Sequence, residues 1–177
     1  TYEEITPVQV GLGMDAFLND EIDVLAAFMN IQPLLLKEQG FEDFTYMPAF
    51  SYGYDFYSGV YFAAQATIEK QPDMVRRFTE VTLRGWQEAF RDPAAAAKQI
   101  IETYAPKESL HQQTESLKIF RMLAKLGDGK KFLGWMESEY WAKGIDILHQ
   151  FRQIEKKIPV KDVFASEFLK TVYFGKK

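Results

Sequence analysis

Four carboxylates, Asp15, Asp20, Glu21 and Asp23, stand within nine residues of one another. Paired carboxylates at short range can divide acid and base work on a bound substrate. Here Asn19 interrupts the series, and a helix cap followed by a solvated turn is the simpler reading. His111 and His149 lie far apart on predicted helices and have no histidine or carboxylate at metal-ligand spacing. The chain has no cysteine, which removes thiol nucleophiles, disulfide scaffolds and thiolate metal sites together. Gly11-Leu12-Gly13 lacks the downstream lysine of a phosphate-binding loop. These residues point to no catalytic group, no metal and no cofactor.

Residues suited to holding a small molecule are better represented. Gly13, Met14 and Asp15 follow a predicted strand, where loop N–H groups meet ligands in an open parallel sheet. Asn30 and Gln32 offer donors and acceptors between apolar flanks, a composition that reads the edge of a heterocycle or a carboxamide. Tyr52, Tyr54, Tyr57 and Tyr61 fall within ten residues, and aromatic walls bearing hydroxyls both stack on and orient a flat ligand. Tyr54 and Tyr57 are the preferred pair. Phe50, Phe56 and Phe62 in the same stretch are expected to pack beneath helices, and Trp86, Trp135 and Trp141 to belong to the core.

The elements that would position these residues alternate at first. Pro7 to Gly13, Ile22 to Met29, Phe41 to Met47 and Val60 to Ala64 read as strands. Short helices come between them, one capped by Asp15 and one over Gln32 to Gln39, with Pro33 at its start and Gly40 at its stop. This order predicts an α/β fold with a largely parallel sheet over residues 1–48. An aromatic crossover or hinge segment follows over 49–71. From Pro72 the pattern turns helical and stays so over 72–177: Asp73 to Arg91, Pro93 to Tyr104 capped by Asp92, a helix opened by Ser109 and Gln112 and closed near Leu126 by Gly127-Asp128-Gly129, Glu137 to Ile154, and Val163 to Val172.

Composition narrows the partners. A formal charge of −4 leaves no electrostatic footprint for nucleic acid or an anionic membrane, and no apolar run approaches the roughly eighteen residues a membrane-spanning helix needs.

Taken in order, Phe17-Leu18-Asn19-Asp20-Glu21-Ile22-Asp23-Val24, Asn30-Ile31-Gln32-Pro33, Gly40, Tyr52-Gly53-Tyr54-Asp55-Phe56-Tyr57, Gly85-Trp86-Gln87-Glu88-Ala89, Gly134-Trp135-Met136 and Trp141 resemble a known family. The resemblance is to the solute-binding proteins that deliver thiamine pyrimidine precursors or alkanesulfonates to ABC transporters, a family that also includes fungal thiamine-pyrimidine synthases. It implies a periplasmic-binding-protein-like (type II) fold, with the N-terminal lobe sheet largely missing and the helices returning from the second lobe.

The resemblance further implies a non-enzymatic receptor, periplasmic or otherwise extracytoplasmic, with or without a membrane anchor. Such a receptor holds a planar heterocyclic or sulfonated ligand in a cleft between lobes and docks on the permease subunits of an ABC transporter. The site would gather Gly13, Met14, Asp15, Asn30, Gln32, Tyr52, Tyr54 and Tyr57. Some relatives carry a glutamate where Gln32 stands. The alternative is an extracytoplasmic sensing domain of a signalling protein. An enzyme of thiamine-pyrimidine synthesis ranks lower, because the synthases depend on a cysteine-rich motif absent here. If the first-lobe sheet is missing, apolar surface should remain uncovered, and a homodimer is expected.

Overall fold

The sequence from Pro72 to Arg91 repeats its apolar residues every three to four positions, and the chain coils there into its longest helix. The computed structural model describes residues 4–11, 13–125 and 131–175. Its α-helices are α1 (Asp15–Leu18), α2 (Gln32–Glu38), α3 (Gln65–Lys70), α4 (Pro72–Arg91), α5 (Pro93–Thr103), α6 (Leu110–Ala124), α7 (Ser138–Gln150) and α8 (Glu167–Phe174). Single 3-10 turns lie at Ala49–Tyr52 and Val160–Asp162.

The helix punctuation follows local chemistry. The Asp92 carboxylate accepts the Ala95 N–H at 3.0 Å ahead of Pro93, whose missing donor costs nothing in the first turn of α5. The Ser109 hydroxyl accepts the Gln112 N–H at 3.2 Å and so opens α6. Gly40 takes φ +77° directly after α2, a left-handed position that suits glycine. The expected stop at Gly127-Asp128-Gly129 and the expected helix end near Leu126 lie outside the described residues, as does Leu12, and α6 ends at Ala124.

The core is helical. Against α5 and α6, α4 sets buried Leu83 and Phe90, with Ala97 and Leu117 on the facing helices. Trp86 stacks on Phe120 at 4.9 Å and lies beside Phe90 at 5.3 Å. Helix α8 closes the other side of α4, where Phe132, Trp135, Tyr173 and Phe174 form one ring cluster. The three tryptophans, expected in the core, are half-buried and pack against other rings.

The expected α/β architecture, a parallel-sheet lobe of periplasmic-binding-protein type, is overturned: among the described residues there is no strand. A strand needs a neighbour to take its N–H and C=O groups, and at the predicted strands these groups go elsewhere. The Phe28 N–H donates to Gln32 Oε1 at 2.8 Å, while its carbonyl accepts from the Ile31 N–H at 2.9 Å. The Phe41 N–H closes the end of α2 on the Leu36 carbonyl at 2.9 Å. Val8 and Val24, read as sheet-facing, are exposed. After Val60 to Ala64, read as a strand, comes α3, which the sequence reading missed.

Exposure of apolar residues is general. The accessible surface is 13831 Å² for 20.5 kDa, whereas a compact monomer of that mass exposes about 8,900 Å². Two rings expected beneath helices are on this surface, Phe50 at 59% and Phe62 at 95% exposure.

Candidate ligand-binding groove

Helix α2 begins where the Asn30-Ile31-Gln32-Pro33 turn is pinned from two directions. Buried Gln32 folds its amide oxygen back onto the Phe28 N–H at 2.8 Å, so this side chain holds its own turn. Half-buried Asn30 donates through Nδ2 to Ser116 Oγ on α6 at 3.2 Å. At the other end of α2, the Ser109 hydroxyl donates to Glu38 Oε1 at 3.0 Å. Two cross-links about two helical turns apart on α6 therefore set α2 antiparallel against it.

Between these helices runs a groove of about 300 Å³ lined by Met29, Pro33, Leu34, Lys37, Tyr46, Pro48 and Ile119. Its walls are nearly all apolar, with the Lys37 ammonium and the Tyr46 hydroxyl as the polar exceptions. Among the described residues the Lys37 ammonium forms no ion pair or hydrogen bond. Leu34 and Lys37 also border a polar notch of about 200 Å³ with Glu38, His111, Gln112 and Glu115. There the hydrogen bond from Lys118, at 2.6 Å, holds the Glu115 carboxyl below the usual carboxylate range, opposed by partial desolvation. Such a trough buries a flat or apolar body and offers one cation to an anionic or strongly polar substituent. Among the described residues no cluster of three histidines or carboxylates is arranged to hold a metal.

The eight residues singled out by the sequence are dispersed around this groove, and none lines it. Asn30 and Gln32 come nearest, framing Met29 and Pro33 of its wall. Gly13 and Asp15 are exposed, and Met14 is buried. Asp15 is the first residue inside α1 rather than its cap, and the Met14 side chain makes no capping bond. A ladder of rings joins this corner to the groove: Phe17 to Phe41 at 5.9 Å, Phe41 to Phe44 at 6.4 Å, and Phe44 to Tyr46 at 5.4 Å. The aromatic segment splits. Tyr52 is 75% exposed, and the Tyr54 ring lies against Phe56 at 4.4 Å. Tyr57 turns to α7, its hydroxyl accepting the Glu137 N–H at 2.8 Å and its ring lying by Tyr140 and Trp141.

Sequence reasoning missed Lys37, Tyr46 and Ile119. The first two were visible only as a lysine one helical turn past Leu34 and a tyrosine just before a proline. Their meeting depends on α2 docking onto α6, which no local pattern announces.

The family model described as NMT1/THI5 like matches residues 1–96, more than half of the chain. The chain belongs to the NMT1/THI5-like family. Membership fits a substrate-binding role. The NMT1/THI5-like match takes in every groove residue except Ile119 and ends in α5, before Gly134-Trp135-Met136 and Trp141, which also carried the resemblance. No curated protein and no solved structure matches the chain.

Proposed function

We propose that this chain serves the solute-binding component of an ABC transporter, and that the α2–α6 groove receives its small planar heterocyclic or sulfonated ligand. One observation carries the reading: the NMT1/THI5-like match covers the α2 side of an apolar groove whose Lys37 ammonium has no ion-pair partner among the described residues. The family's sulfonates and aminopyrimidines both combine a compact body with one strongly polar end, and the groove has a matching division between Leu34, Pro33 and Met29 on one side and Lys37 on the other. In this reading the protein is a receptor without catalysis, works outside the cytoplasm and hands its ligand to permease subunits. The absence of cysteine sets it apart from the synthases of the family, whose activity the resemblance ties to a cysteine-rich motif.

Calorimetric titration of the chain with an alkanesulfonate and, separately, with an aminopyrimidine tests the proposal. Saturable one-to-one binding of either, weakened by Lys37→Met for the sulfonate, is the expected result. No binding of either compound, with nothing co-purifying by native mass spectrometry, would refute it.

A further inference from the structure

Helix α4 is apolar on two faces, and only one of them is used within the chain. Leu83 and Phe90 are buried toward α5, α6 and α8. On the outer face Met74, Phe78 and Val81 are 44%, 55% and 65% exposed. With Gly85 they recur at spacings of four, three and four, which places all four on a single stripe. Tyr61 meets Phe78 edge-on at 5.8 Å and widens the apolar surface at that point.

Gly85 is the informative member. A mid-helix glycine costs about 1 kcal/mol relative to alanine, and a Cβ placed on Gly85 would meet nothing within 4 Å. No close approach inside the chain accounts for the glycine. It leaves a notch in an exposed apolar stripe, where another helix can come near.

We propose that α4 is the contact face for a second copy of this chain, the two α4 helices crossing antiparallel about a two-fold axis between Phe78 and Val81. The stripe is self-complementary in that arrangement. Met74 and Gly85 stand equally far on either side of the axis, so the flexible Met74 of each copy enters the Gly85 notch of the other. Phe78 meets Val81. A two-fold interface requires this matching of a patch with itself.

Area agrees with that occupant. Each partner of a tight homodimer buries about 1,000–2,500 Å², which lies within the roughly 5,000 Å² by which this chain's exposure exceeds that of a compact monomer of its mass. An anionic membrane is a poorer occupant, given the net charge of −4. The inference stands apart from the ligand reading, since no residue of the stripe borders the groove.

Sedimentation velocity over a wide concentration series tests it, with circular dichroism as the check on folding. The unmodified chain should sediment as a dimer. Val81→Glu should raise the dimer dissociation constant at least about tenfold. Gly85→Leu should do the same by filling the notch, and it cannot act by unfolding, because leucine is the better helix former. Adding Met74→Ala to Gly85→Leu should restore much of the dimer, since the new leucine then faces a shortened side chain. A monomeric unmodified chain, or a dimer indifferent to both single changes, would overturn the proposal. Failure of the double variant to recover would overturn the antiparallel register.

Discussion

The Tyr57 hydroxyl accepts a hydrogen bond from the Glu137 N–H at 2.8 Å, joining the aromatic segment to the entry of α7 across eighty residues of sequence. The N–H it satisfies belongs to the residue just before α7, where the Glu137 side chain forms no capping bond. Tyr57→Phe keeps the ring contacts and removes the hydroxyl that accepts this bond. The expected loss of stability is about 1–3 kcal/mol, the cost of leaving a part-buried donor unpaired. Urea denaturation measures it. A change below roughly 0.5 kcal/mol would show that the bond does not anchor α7.

The Asn30–Ser116 bond should be worth about 0.5–1.5 kcal/mol of coupling in a double-mutant cycle with Asn30→Ala and Ser116→Ala. Strict additivity of the two changes would mean that α2 is not held to α6 there. Glu38→Ala with Ser109→Ala probes the other end of the helix. It should give a smaller coupling, because that bond is exposed, and the Gln112 cap lost with Ser109→Ala enters both arms of the cycle and cancels.

Gly134 stands at φ +76°, and a Cβ there would lie 2.9 Å from Leu83 Cδ2, a buried atom of the main core. Gly134→Ala should therefore cost backbone strain and a core collision together, about 2–3 kcal/mol. Gly53→Ala serves as the comparison: φ is +89° but the space is open, so about 1 kcal/mol of strain should appear alone. Equal losses at the two positions in thermal or urea denaturation would contradict the assigned contact with Leu83.

Lys118 lowers the Glu115 carboxyl first through its hydrogen bond and then through its charge, with a smaller contribution from His111. A carboxylate whose folded pKa is depressed contributes stability above its unfolded value and loses it as pH falls through the folded value. Lys118→Met should bring the Glu115 titration, followed by carboxyl NMR, upward toward the ordinary range. A titration that does not move would assign the shift to some other group.

Parts of the helical region were legible where a helix carries its own start signal. Asp92 before Pro93 and Ser109 ahead of Gln112 are local, and the structure uses both. The sheet was misread for the converse reason. The nearly continuous apolar run Ile22 to Met29 suits a strand buried on both faces, but a ladder needs a second segment, and here Gln32 and Ile31 take the Phe28 backbone groups instead. The Asn30–Gln32 turn was singled out for contacts with a ligand. Its polar groups turn out to brace the groove wall, since Asn30 reaches Ser116 and Gln32 reaches Phe28. Lys37 and Ile119 become neighbours only through a helix pairing more than eighty residues apart, and no window of sequence contains both.

The most direct test of the ligand-binding account is calorimetric titration of an alkanesulfonate or aminopyrimidine into the chain and into Leu34→Trp. Leu34 lines both the groove and the adjoining notch, so a larger indole at this position takes up ligand space. If the groove is the binding site, the compound that binds the unmodified chain should lose at least about tenfold in affinity, equivalent to about 1.4 kcal/mol, with the helical circular dichroism unchanged. Undiminished affinity in folded Leu34→Trp would place the ligand elsewhere and contradict the account.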